Sequence, residues 1–283
     1  MSQSIVDIHP HVITTDEVRY PRNPLGGKQS VWSQQRPTTW QQLLAAMDDA
    51  GVAKAAIVQS STCYGFDNSY VAEAVQARPE RFTGVCSIDM LVPEAPETLR
   101  YWKERGMTGL RLFTTGSTMP GQSDVLADSR SFPAWEAAEA LQMSVCVQMR
   151  PEGLPMLQTL IQRFPRVKII IDHLMSIPME SGTPYPGAAP LLSVASHPNI
   201  YLKLTSVALR EATKGAATPA SVVELVTRHF GSHRIAWGSN FPASEGSLKH
   251  MVGEVQTATA GLSQRERDHI LGGTALSLYP AIA

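Results

Sequence analysis

Two histidines one residue apart, in Asp7-Ile8-His9-Pro10-His11 behind the apolar pair Ile5-Val6, are the residues of this 283-residue chain best placed to do chemistry. Side chains at i and i+2 leave the same face of a strand, so both imidazoles at its end can meet on one metal ion, one water or one substrate oxygen. Imidazole changes charge near neutral pH with small changes in surroundings, which suits it to proton transfer and to metal ligation alike. The competing reading is a pair of solvated or carbonyl-bonded histidines with no chemical role. The rest of the chain weakens it.

His173 closes the apolar run Ile169-Ile170-Ile171-Asp172 and is either a core histidine bonded to a carbonyl or a third site imidazole. Arg111, in Gly109-Leu110-Arg111-Leu112-Phe113, brings a guanidinium either to a substrate carboxylate, which it can hold bidentately, or to an internal ion pair with Asp89 or Asp172. Arg150 faces the same choice. Tyr64 follows a strand and can line the site, whereas Asp67 and Asn68 beside it read first as turn and helix-cap residues. His197, His229, His233, His250 and His269 fall in helices or at helix ends and read as surface residues.

Such groups are useful only if a scaffold converges them. Short apolar strands alternate with helical segments throughout, the pattern of a parallel sheet with crossover helices. Eight strands are expected: Ile5 to Ile8, Ala55 to Gln59, Thr83 to Ile88, Gly109 to Phe113, Ser144 to Gln148, Lys168 to Asp172, Ile200 to Leu204 and Arg234 to Trp237. Thr38 and Thr39 mark a helix start, and Gly51, Gly106 and Gly231 fall where helices should stop. Eight units in a chain near the usual length of about 250 residues predict one α/β domain over residues 1–283, a (β/α)8 TIM barrel, with a doubly wound sheet as the alternative.

Barrel chemistry sits at the C-terminal strand ends. The polar residues there are His9 and His11, Gln59 with Ser60 and Ser61, Asp89, Arg111, Gln148 with Arg150, His173, Lys203 with Ser206, and Asn240. The irregular stretches from Val12 to Pro37 and from Ser176 to Gly187 should form loops over that mouth.

Net charge is -1, with 43% hydrophobic and 17% charged residues, so the surface carries no strong field and nucleic acid or an anionic membrane is a poor partner. No run approaches the roughly 20 apolar residues that span a bilayer, and no secretory leader is visible. Cys63, Cys86 and Cys146 are far apart and read as buried thiols, which fits a reducing cytoplasm. A homodimer is the default expectation for oligomeric state.

Four motifs then stand in order: Asp7-Ile8-His9-Pro10-His11, Ile171-Asp172-His173-Leu174, Tyr201-Leu202-Lys203-Leu204 and Trp237-Gly238-Ser239-Asn240-Phe241-Pro242. Together they resemble the amidohydrolase superfamily, and more closely its branch containing 2-pyrone-4,6-dicarboxylate lactonase and related sugar lactonases. The resemblance spans nearly the whole chain, including Ile270-Leu271-Gly272-Gly273-Thr274-Ala275, which resembles the family's final helix. Metal-binding members place a histidine on the fifth strand and an aspartate on the eighth, where this chain has Gln148 and Asn240. A neutral amide is the poorer ligand for a divalent ion.

The resemblance therefore implies a hydrolase that opens a lactone or related cyclic ester of a small carboxylic acid without a metal. His9, His11, His173 and Asn240 would be catalytic, with Arg111, Gln148, Arg150, Tyr64 and Lys203 binding the substrate. In the branch an eighth-strand aspartate activates water. Asn240 cannot take a proton, so a histidine is expected to do so. Two alternatives remain open here: a decarboxylase of an aromatic or unsaturated acid with a divalent metal such as zinc at His9, His11 and His173, and a decayed barrel that binds a small acid.

Overall fold

The computed structural model describes residues 4–114, 116 and 126–283. Eight strands follow in chain order: β1 (Ile5–Asp7), β2 (Val52–Val58), β3 (Phe82–Cys86), β4 (Met107–Phe113), β5 (Ser144–Gln148), β6 (Ile169–Ile171), β7 (Ile200–Thr205) and β8 (Ile235–Gly238). Each pairs in parallel with the next. The ends meet where the Ile8 amide donates to the Trp237 carbonyl at 3.2 Å and the Ser239 amide to Oδ1 of Asp7 at 2.8 Å. With helices between the strands, this is the expected (β/α)8 barrel.

The strands form because their side chains are wanted on both faces. Ile169, Ile170 and Ile171 are all fully buried, Ile170 with Val6, Ile8, Val58, Val85 and Ala236 inside the barrel and its two neighbours against the helices outside. Burying each such side chain contributes about 1.5–3 kcal/mol. The C-terminal helix closes the barrel from below with Ala275, Leu278 and Tyr279. Helix Trp40–Ala50 starts at a capping box between Thr39 and Gln42 and stops at Gly51, whose φ of 72° suits glycine.

Three details differ from the sequence-based expectation. β6 ends at Ile171, so Asp172 and His173 lie in a turn. Asp67 does cap the helix Ser69–Ala77, its Oδ1 accepting the Ser69 amide at 2.9 Å, but Asn68 instead bonds both the amide and the carbonyl of Ser87 and ties that helix to the end of β3. Third, the loop from Val12 to Pro37 contains the short helix Val31–Gln35, which carries Trp32 to the barrel mouth. All three cysteines are buried and free. Among the described residues no helix is long and apolar enough to cross a membrane.

Candidate active site

β1 ends at Asp7, so the two histidines converge from the segment that continues past it and not from the strand itself. That segment is held on both sides: Oδ1 of Asp7 accepts the His9 amide at 2.9 Å, the Val58 amide donates to Pro10 O at 2.8 Å, and the His11 amide donates to Phe241 O at 2.8 Å. The ring centroids of His9 and His11 lie 5.0 Å apart, and that of His173 lies 4.9 Å from His9. The expected trio is thus one cluster.

His173 reaches it through an unusual backbone. His173, Leu174, Met175 and Ser176 all have left-handed φ, between 51° and 61°. Each such non-glycine residue costs roughly 1–2 kcal/mol. Burial of Leu174 and Met175 and a 2.8 Å hydrogen bond between His173 Nδ1 and Thr205 Oγ1 hold the turn. Strain of this kind is kept where it orients a working side chain.

Beneath the imidazoles Asp172 joins two cations. Its Oδ2 accepts from Arg111 Nε at 2.8 Å, and its Oδ1 lies 2.8 Å from Lys203 Nζ. Arg111 also donates to Gln148 Oε1 and rests on the Phe113 ring, its guanidinium carbon 4.5 Å from the centroid. Lys203 Nζ contacts Cys146 Sγ at 3.2 Å. The internal ion pair expected as an alternative for Arg111 is therefore formed, with Asp172.

A cavity of about 330 Å³ opens at the mouth, with His11, His173, Arg111, Gln148 and Asn240 on its walls. Other expected binding residues are placed elsewhere. Lys203 is sealed from solvent and outside the lining, because Asp172 draws its ammonium inward. Tyr64 is buried away from the cavity, its hydroxyl accepting from the Thr14 amide at 3.0 Å and from Arg22 at 2.6 Å, so its role is to anchor the first loop. Arg150 is exposed where the chain leaves β5 and is likewise outside the lining. Trp32, whose ring packs on His11 at 5.2 Å, was given away by no sequence signal, arriving on an irregular loop.

Burial makes the histidines poor proton acceptors. It lowers His11 to about 3, with Arg111 adding to the effect, and His173 to about 4 against the pull of Asp172. His9 is also pushed well down, by burial and then by Lys203 and Arg111. Burial alone would raise Asp172, but Lys203 and Arg111 outweigh it and hold the carboxyl ionised. All three imidazoles are therefore neutral at pH 7, each with one N–H and one lone pair. In His11 the assignment follows from the 2.8 Å contact of Nδ1 with Val58 O: a carbonyl only accepts, so Nδ1 carries the hydrogen and Nε2 the lone pair. Neither ring nitrogen of His9 has a partner among the described residues.

Whether a divalent ion fits can be judged from the donors. Among the described residues, His9, Asp172 and His173 have donor atoms within 4.8 Å of one another, and His11 stands outside that set. Both Asp172 oxygens already face a cation, and a dication there would sit beside a fixed guanidinium and a fixed ammonium. Asn240, at the eighth strand, offers only an amide whose Nδ2 donates to Ser244 Oγ at 3.0 Å. His9, Asp172 and His173 thus make a candidate site for a divalent ion, one whose carboxylate is already shared between two cations.

Gly238 supports the cluster from β8: a Cβ there would lie 2.6 Å from His9 Cβ and 3.2 Å from its backbone nitrogen. Gly238→Ala should displace His9 and cost about 1–3 kcal/mol. Thermal unfolding should show a lower midpoint, and an unchanged midpoint would mean that His9 is not held as described.

A (β/α)8 barrel with buried imidazoles and a guanidinium at its C-terminal mouth is an enzyme architecture. The chain belongs to the amidohydrolase family, whose profile matches residues 6–281. It is similar to the L-fucono-1,5-lactonase of Burkholderia ambifaria, 31% identical over 117 residues, a stretch covering 40% of this chain and only 39% of that one. Among solved structures it resembles a Pseudomonas putida protein described as a candidate 2-pyrone-4,6-dicarboxylic acid hydrolase (TM-score 0.78, 22% identity, 100% of both chains). It also resembles a dihydroxybenzoic acid decarboxylase from Polaromonas with bound manganese and an inhibitor (TM-score 0.69, 17% identity, 99% of this chain and 97% of that one). At these identities the structural likeness is one of fold.

Proposed function

We propose that the protein hydrolyses a lactone or related cyclic ester of a small carboxylic acid, with His11 as general base and no step through a metal ion. The observation that carries this is the fixed tautomer of His11, whose Nε2 lone pair belongs to a residue on the cavity wall. Water beside that nitrogen gives up a proton as its oxygen attacks the ring carbonyl. The developing oxyanion takes a hydrogen bond from His173 on the cavity wall, while His9, fully buried and outside the lining, packs behind it with ring centroids 4.9 Å apart. Collapse breaks the ring C–O bond, and the imidazolium of His11 returns its proton to the leaving alkoxide, giving a hydroxy acid. Arg111 faces the substrate carboxylate, and Asn240 positions the water without taking its proton.

A carboxylate beside Arg111 offsets the positive field that depresses His11, so the base strengthens when substrate is present. In the free enzyme His11 near 3 and His173 near 4 are unprotonated throughout the neutral range. Because kcat/KM reports the free enzyme, it should be flat between about pH 5 and 8. A limb falling below about pH 6.5, where an ordinary imidazole titrates, would contradict these assignments.

The test of the class is a panel of carboxylated δ-lactones, neutral sugar lactones and dihydroxybenzoates, followed by acid release and by CO₂ release. Acid release from a lactone supports the proposal. Release of CO₂ from a dihydroxybenzoate supports metal-dependent decarboxylation instead, and binding with no turnover of either class supports a decayed barrel.

A further inference from the structure

His11 and His173 both line the cavity, and both turn Nδ1 away to a buried partner. The partners differ in kind. For His11 it is the Val58 carbonyl at 2.8 Å, which can only accept, so the ring keeps its hydrogen on Nδ1. For His173 it is the Thr205 hydroxyl, also at 2.8 Å, which can either donate or accept.

Thr205 is the last residue of β7 and is fully buried. Among the described residues its hydroxyl has no partner but His173 Nδ1. If that nitrogen carried the hydrogen and Thr205 accepted it, the hydroxyl's own hydrogen would point into a sealed interior with nothing to receive it, and a buried donor left unpaired loses its hydration without return. Donation from Thr205 to Nδ1 leaves no such orphan. The ring then holds its lone pair on Nδ1 and its hydrogen on Nε2, the nitrogen left for the cavity. A half-turn of the ring would put Cδ2 against the hydroxyl and break the bond, so one contact fixes both the orientation and the tautomer.

We infer that Thr205 is a positioning residue that sets the tautomer of His173 and so makes this ring a hydrogen-bond donor to the oxyanion, where His11 is the base. This rests on the proposed ester hydrolysis and adds how two like side chains receive opposite duties. Val58 O holds a hydrogen on His11 Nδ1 and frees a lone pair at Nε2, and Thr205 does the reverse at His173. With its hydrogen misplaced, His173 would turn a lone pair toward the developing negative charge and repel it. A divalent ion bound through His173 Nε2 requires that other tautomer, with Nδ1–H donating to Thr205.

Long-range proton–nitrogen correlation spectra of the full chain at neutral pH read the tautomer directly, with His173 assigned by the signals lost in His173→Asn. The wild-type protein should show a protonated Nε2 and an unprotonated, hydrogen-bonded Nδ1. Thr205→Val removes the hydroxyl and keeps the shape, and should leave His173 a mixture of tautomers. On a carboxylated δ-lactone its kcat should fall about tenfold with KM within about twofold of wild type, and Thr205→Ser should restore both the rate and the nitrogen pattern. A merely structural Thr205 would lower the unfolding midpoint and leave the His173 nitrogens and the kcat of the folded variant as they are. If Thr205→Val does not fold, the wild-type spectrum still decides.

A hydrogen on His173 Nδ1 in the wild-type protein would overturn the inference and favour an ion-ligand role for the ring. A folded Thr205→Val variant that keeps either the wild-type nitrogen pattern or the wild-type kcat would overturn it as well. An Nε2–H pattern that is lost in Thr205→Val, with no turnover of any lactone, would keep Thr205 as the residue that sets the tautomer and sink the catalytic proposal alone.

Discussion

His11→Ala should lose about 10³-fold in kcat with little change in KM and a native far-UV spectrum. The deleted ring is the one whose hydrogen is pinned to Val58 O at 2.8 Å, leaving its second nitrogen to act on water. Binding is expected to survive because Arg111 is held by Asp172 and Gln148 and not by the imidazole. Free imidazole added to His11→Ala should restore part of the rate, since the ring leaves space beside Trp32. Retention of wild-type turnover in this variant would remove His11 from the chemistry and with it the proposed base.

Asp172→Ala should cost about 3–5 kcal/mol of folding stability, a large part of the roughly 5–15 kcal/mol that holds a domain together. The carboxylate is fully buried and is the shared counter-ion of Lys203, itself fully buried, and of Arg111, which is nearly so. Removing it strands two cations in a low-dielectric interior, a far worse state than losing one exposed ion pair. Lys203→Met should cost less, because Arg111 still balances Asp172. Urea unfolding measures both. An Asp172→Ala midpoint equal to wild type would mean that water reaches the pair and that the site is wetter than its burial indicates.

Sequence made the barrel legible because burial on both strand faces leaves an apolar run that little else in a soluble chain imitates, as at Ile169-Ile170-Ile171. The histidine trio was also legible, since each ring sits just past a strand end and the barrel gathers such positions. Direction was not. Lys203 reads as a mouth residue by its place late in β7, yet Asp172 turns it inward, and nothing local says that these two will pair across β6 and β7. Tyr64 lies off the cavity and Trp32, for which the sequence raised no expectation, lies on it, because a loop's course is set by contacts distant in sequence, such as the Tyr64 hydroxyl on the Thr14 amide.

Metal removal tests the central claim most directly. The protein would be dialysed against a strong chelator, its zinc, manganese and iron content measured, and its lactone hydrolysis compared before treatment, after treatment, and after adding back each ion. Chemistry carried by neutral imidazoles and a fixed guanidinium predicts a rate unchanged within about twofold throughout, with substoichiometric metal at every stage. A loss of tenfold or more on chelation, reversed by one equivalent of a single ion, would contradict it and make His9, Asp172 and His173 ligands instead.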